Sequence, residues 1–96
     1  MKDLLVRPAA AADIEQACRW YDAQRTGLGD EFFQEVRATI AWVSEHAEAS
    51  PILHRNTRRA LVSRFPYGVF YRVYAEQIVV VACFHARRDP KHWRRR

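Results

Sequence analysis

The stretch Val69-Phe70-Tyr71-Arg72-Val73-Tyr74-Ala75-Glu76-Gln77-Ile78-Val79-Val80-Val81-Ala82-Cys83-Phe84 decides the fold. Its first six residues are β-branched or aromatic at almost every position. They alternate, placing Val69, Tyr71 and Val73 on one face and Phe70, Arg72 and Tyr74 on the other. Ile78 to Phe84 is unbroken apolar, the pattern of a central strand covered on both faces. The Ala75-Glu76-Gln77 link between the two runs allows only a hairpin.

Upstream, Arg58 to Phe65 is a third and less regular strand, and residues 51–56 read as a loop. Ser50-Pro51 closes a helix, because the residue before proline disfavours the α region. That helix begins near Asp30-Glu31 and carries the stripe Phe32, Phe33, Val36, Ile40, Val43 and Ala47. Thr26-Gly27-Leu28-Gly29 separates it from an earlier helix running to about Arg25, whose stripe is Ile14, Ala17, Cys18 and Tyr21. Two helices joined so closely lie antiparallel. Leu4-Leu5-Val6, stopped by Pro8, is a first strand. The order β-α-α-β-β-β predicts an α+β domain, with a helical hairpin packed on a small, mostly antiparallel sheet. Residues 1–96 form one domain on this reading, and about 92–96, ending Arg94-Arg95-Arg96, are a frayed basic tail.

Charge divides the chain. Residues 1–50 carry five Lys/Arg against nine Asp/Glu, whereas residues 77–96 carry six Lys/Arg against Asp89 alone. The basic half calls for an anionic partner, either nucleic acid or an acidic protein segment, unless it is only a solvated surface. No run approaches the roughly 18 apolar residues of a membrane span. The opening Met1-Lys2-Asp3 turns polar at Arg7 and gives no secretory core, so the expected location is cytoplasmic, with no membrane partner. Cys18 and Cys83 form no motif, and no Cys/His array stands at zinc spacing. No metal and no cofactor are expected.

The ordered set Phe65-Pro66-Tyr67, Tyr71-Arg72-Val73, Ile78 through Ala82, His85, Arg87-Arg88-Asp89-Pro90 and Trp93 resembles the RelE/ParE superfamily of type II toxins. The resemblance implies a compact toxin neutralised by a cognate antitoxin, which wraps a partly disordered segment over the toxin. RelE-like members cleave mRNA on the ribosome, and ParE-like members inhibit DNA gyrase. RNA cleavage needs a base for the 2′-OH, an acid for the leaving oxygen and cations around the phosphate. Position by position, the RelE arginine of the final segment matches Arg87 and its terminal aromatic falls at Trp93, which has no ionisable hydroxyl. Its other arginine falls at Gly68, and its two lysines fall at Arg59 and Leu61. The resemblance is therefore closer to ParE-like members, with DNA gyrase as the implied target. The alternatives are an mRNA endonuclease acting on the ribosome, and a non-toxic binding partner that keeps the fold.

The candidate residues carry two readings each. His85 and His92 are the proton-transfer candidates of a nuclease, since histidine titrates nearest neutrality; His85 is otherwise a structural residue at a strand end. His46 and His54 face solvent. Arg64, Arg72, Arg87 and Arg88 form one cationic cluster for a target or phosphate, or else pair with the acidic half. Asp89-Pro90 is first a turn signal. Tyr67 and Tyr71 belong to core and sheet packing. Trp93 either contacts a base or partner, or pins the C-terminal segment to the body.

Overall fold

A computed structural model describes residues 2–96. Strand β1 (Asp3–Val6) leads into helices α1 (Pro8–Gln24) and α2 (Leu28–His46). Strands β2 (Ile52–His54), β3 (Thr57–Leu61), β4 (Tyr67–Val73) and β5 (Gln77–His85) follow, and then helix α3 (Pro90–Arg94). The strands form one sheet in the order β1-β5-β4-β3-β2, with β1 parallel to β5 and the other neighbours antiparallel. The α+β class and the helical hairpin stand as expected, with one more strand and one more helix.

The two faces of the sheet follow from the alternation in β4. Val69, Tyr71 and Val73 face α1 and α2, where they meet Ile14, Ala17, Phe32, Val36 and Val43. Phe70 faces the opposite side with Val79, Val81, Ala82 and Phe84. In β5, Val80 pairs with Tyr71 and Ala82 with Phe70, so Val81 is an inserted residue. This bulge shifts the phase of the strand, which is why Val81 and Ala82 share a face although they are consecutive. Burying a side chain such as Phe32 in the helical core contributes roughly 2–3 kcal/mol.

The hairpin is locked across its tip. Asp22 of α1 accepts the N–H of Gly29 at 2.8 Å and of Gly27 at 3.2 Å, capping α2 from outside it. A Cβ on Gly29 would lie 2.5 Å from the carbonyl oxygen of Cys18, so glycine permits the close approach. With this cap α2 begins at Leu28, two residues before the acidic pair. Phe33 corrects the expected stripe: it is exposed on the outer surface. It follows Phe32 by about 100° of helical rotation, so the two rings cannot both face the sheet.

Residues 51–56 are not a loop throughout. Ile52–His54 pairs with Thr57 and Arg58 through a tight turn in which Arg55 has φ of 51°. Three residues carry no readable periodicity; backbone pairing makes this strand. β3 stops at Leu61, and Arg64 turns the chain with φ of 70°. The expected frayed tail is also corrected. Asp89 accepts the N–H of Lys91 at 3.0 Å, Pro90 opens α3, and Trp93 is 5% exposed. Arg96 reaches Asp13 at 2.8 and 3.0 Å and the carbonyl of Val81 at 3.0 Å.

Candidate target-binding site

The end of β5 gathers most of the chemistry that the sequence singles out. His85 lies opposite Tyr67 in the ladder, with ring centroids 5.7 Å apart. Its Nδ1 accepts the backbone N–H of Arg87 at 3.1 Å, which leaves Nε2 to carry the proton of the neutral ring. The turn beyond it is held by Ala86 N–H donating to Pro66 O at 2.8 Å and Arg88 N–H donating to His85 O at 2.9 Å. These bonds hold Arg87 and Arg88 on the surface beside the histidine, both exposed.

Two hollows meet there. One of about 190 Å³ is lined by Asp13, Gln16, Tyr67, His85 and Arg88 among others. A second of about 320 Å³, more apolar, adds Tyr21 and Pro66; Trp20, Tyr67 and His85 line both. Trp20 is 57% exposed. Burial pushes the Tyr67 hydroxyl above its ordinary range, so it stays a protonated donor at neutral pH. Arg88 stacks over Phe84 at 4.4 Å, with Arg96 against the same ring at 4.8 Å. Asp13 neutralises Arg96. Arg88 has no acidic partner among the described residues, so its charge remains available.

The expected four-arginine cluster does not assemble. Arg64 lies at the β3–β4 turn, where it donates to Glu31 at 2.8 Å and Glu35 at 3.4 Å on α2. The hydrogen bond from Arg64 holds the Glu31 carboxyl below its usual range. Arg72 donates to Thr57 Oγ1 at 3.2 Å and to the main-chain oxygen of Arg96 at 3.4 Å. Those two arginines tie elements together, and only Arg87 and Arg88 stand together at the His85 turn.

Trp93 packs inward, its indole stacked on Phe70 at 5.1 Å. His92 sits half-buried on α3. His46 is exposed and stacks on Trp42. His54 is half-buried instead of solvent-facing. Desolvation, reinforced by Arg94 and Arg55, lowers its pKa and favours the neutral ring. The stem of Arg59 occupies the space beside Gly68, where an added Cβ would meet its Cγ and Cδ at 2.7 Å. Cys18 and Cys83 are free thiols. Among the described residues no group of His, Cys, Asp or Glu is arranged to hold a metal ion, and no helix is long and apolar enough to cross a membrane.

Trp20 is the residue that sequence reasoning passed over. It lies off the buried stripe of α1, and a large aromatic on the polar side of an amphipathic helix was the available signal. With Arg88 and His85 it makes a partly apolar, cationic concavity. Such a mixture of indole, phenol and guanidinium suits a protein anchor, because Trp, Tyr and Arg dominate binding hot spots.

The model of the ParE toxin of type II toxin–antitoxin systems, parDE, matches residues 4–90. A chain in the solved structure of the chromosomal ParDE TA system from P. aeruginosa superposes with a TM-score of 0.80 at 18% identity. The match covers 88% of this chain and 96% of that one, a likeness of fold. A comparison with curated proteins finds no match.

Proposed function

The chain belongs to the ParE toxin family of type II toxin–antitoxin systems, and from that premise we propose that it acts in the cytoplasm by gripping DNA gyrase through the Trp20–His85–Arg88 surface. A cognate antitoxin is the partner that the family brings. The observation that carries the gyrase reading is the fate of two positions where a RelE-like nuclease holds one of its arginines and its terminal aromatic. Gly68 is overlaid by the Arg59 stem, and Trp93 is buried against Phe70. What stays exposed is Trp20, Arg87 and Arg88 around a histidine whose Nδ1 is already engaged, a set that supports binding over cleavage.

The test is expression without antitoxin, with mRNA 5′ ends and gyrase-linked DNA breaks mapped in the same cells. Gyrase-linked breaks with intact mRNA are expected. New mRNA ends at codon positions, lost in His85→Ala, would replace this reading with ribosome-dependent cleavage. Unimpaired growth would leave a binding partner that has the toxin fold without the toxicity.

A further inference from the structure

The sheet has an open edge opposite the proposed target surface. β2 pairs only with the start of β3, Ile52 opposite Arg58 and His54 opposite Thr57. Pro51, which has no N–H to give, stands where the chain leaves the sheet. The Arg58 guanidinium holds the departing segment, donating to Glu48 O at 3.1 Å and Ser50 O at 2.7 Å. From Arg59 to Leu61, β3 therefore has a neighbour on one side only. Val62 N–H donates to Tyr67 O at 2.9 Å. Antiparallel alternation then turns the N–H and C=O groups of Leu61 and Arg59 outward, away from β4.

A groove of about 480 Å³ runs between this edge and α2. Its helical wall is Glu35, Ala38, Thr39 and Trp42, one flank at i, i+3, i+4 and i+7. Leu61 is 63% exposed and Trp42 is 42% exposed. Glu35 is already engaged by Arg64, whereas Arg59 has no acidic partner among the described residues. Outward main-chain donors and acceptors, an apolar trench under a helix flank and a spare cation at the rim specify one kind of guest. It is an extended strand whose alternate side chains are apolar toward the groove and acidic toward Arg59.

We propose that the β3 edge, from Arg59 to Leu61, receives an extended acidic segment of the antitoxin as an added strand; this rests on the toxin–antitoxin reading above. The main chain supplies pairing, Trp42 and Leu61 supply the apolar contacts, and Arg59 supplies charge complementarity.

The edge geometry provides a selective variant. Leu61 directs its N–H outward, so Leu61→Pro removes a docking donor without removing a bond to β4. Arg59→Glu reverses the rim charge. Each variant is titrated with the protein encoded in the adjacent reading frame, with folding followed by thermal melting. Amide exchange of Arg59 and Leu61 is measured in the unmodified complex. Binding is expected to weaken about tenfold or more in each variant, and both amides become protected on binding. Both variants, expressed alone, still arrest growth.

Unchanged affinity in Leu61→Pro, or edge amides that stay unprotected in the complex, would overturn the proposal. Should Leu61→Pro fail to fold, Arg59→Glu and the exchange data decide. Protection that grows with the concentration of this chain alone would assign the edge to a second copy and overturn it too. Absence of growth arrest by the unmodified chain would sink toxicity but leave the titration and exchange free to settle this edge.

Discussion

The indole of Trp93 lies nearly parallel to the ring of Phe70, with centroids 5.1 Å and planes 21° apart. One residue of a five-residue helix thus closes the face of the sheet that α1 and α2 leave open, together with Val79, Val81, Ala82 and Phe84. Trp93→Ala should destabilise the fold by about 3–5 kcal/mol, the cost of deleting a buried large aromatic. Urea unfolding followed by circular dichroism checks this through the transition midpoint. Trp93→Phe should recover more than half of the loss, because the stacking partner remains.

The hairpin of β4 and β5 was legible because alternation and a continuous apolar run are direct images of burial. The two helical stripes were legible for the same reason, apart from Phe33, one residue out of phase. β2 and α3 were not. β2 is three residues long, and α3 is a short helix started by Asp89 and closed by the contact of Trp93 with Phe70, 23 positions earlier in the chain. Long-range pairing leaves no local period. The site was half legible. His85, Arg87 and Arg88 are neighbours in sequence and so remain neighbours in space. Arg64 and Arg72 share their charge but are claimed by Glu31, Glu35 and Thr57, partners that only the tertiary fold brings near. Trp20 joins them from α1 across a distance that no motif spans.

The Asp13–Arg96 pair should prove coupled to the stability of the whole domain. Asp13 accepts two bonds from the guanidinium and one from Cys83 N–H at 3.0 Å, with little of its side chain exposed. Removing either partner leaves a partly buried group without its counter-charge. A double-mutant cycle with Asp13→Ala and Arg96→Ala should give a coupling energy of about 1–3 kcal/mol, below that of a fully enclosed pair because water reaches Arg96. Trypsin should cut after Arg94 or Arg95 faster in either single variant than in the unmodified chain.

Cys83 sets a limit on alkaline stability. Burial, then Asp13 and Cys18, pushes its thiol up to about 12 from 9.0. Below pH 9 the thiol is protonated in both folded and unfolded chains, so it contributes no pH dependence. Above pH 9 the unfolded chain releases this proton and the folded chain keeps it, so stability falls as pH rises, by about 1.4 kcal/mol per unit until the folded thiol titrates. Cys83→Ala should flatten the stability profile between pH 9 and 11 by that slope, whatever Lys and Tyr contribute to both proteins. Native Cys83 should also resist iodoacetamide at pH 8 and react once urea unfolds the chain.

The proposed target surface makes the sharpest functional prediction, because it separates arginines that sequence alone treats alike. Arg88 rests on Phe84 with no acidic partner among the described residues, whereas Arg64 is held by Glu31 and Glu35. A free cation beside an exposed indole can be spent on a partner; an engaged one must first break its own contacts. Arg88→Ala and Trp20→Ala should each weaken capture of gyrase by about tenfold or more while melting as the unmodified chain does. Arg64→Ala should leave capture unchanged. Equal losses from Arg64→Ala and Arg88→Ala would show that bulk positive charge drives the interaction, and the Trp20–His85–Arg88 surface would lose its special standing.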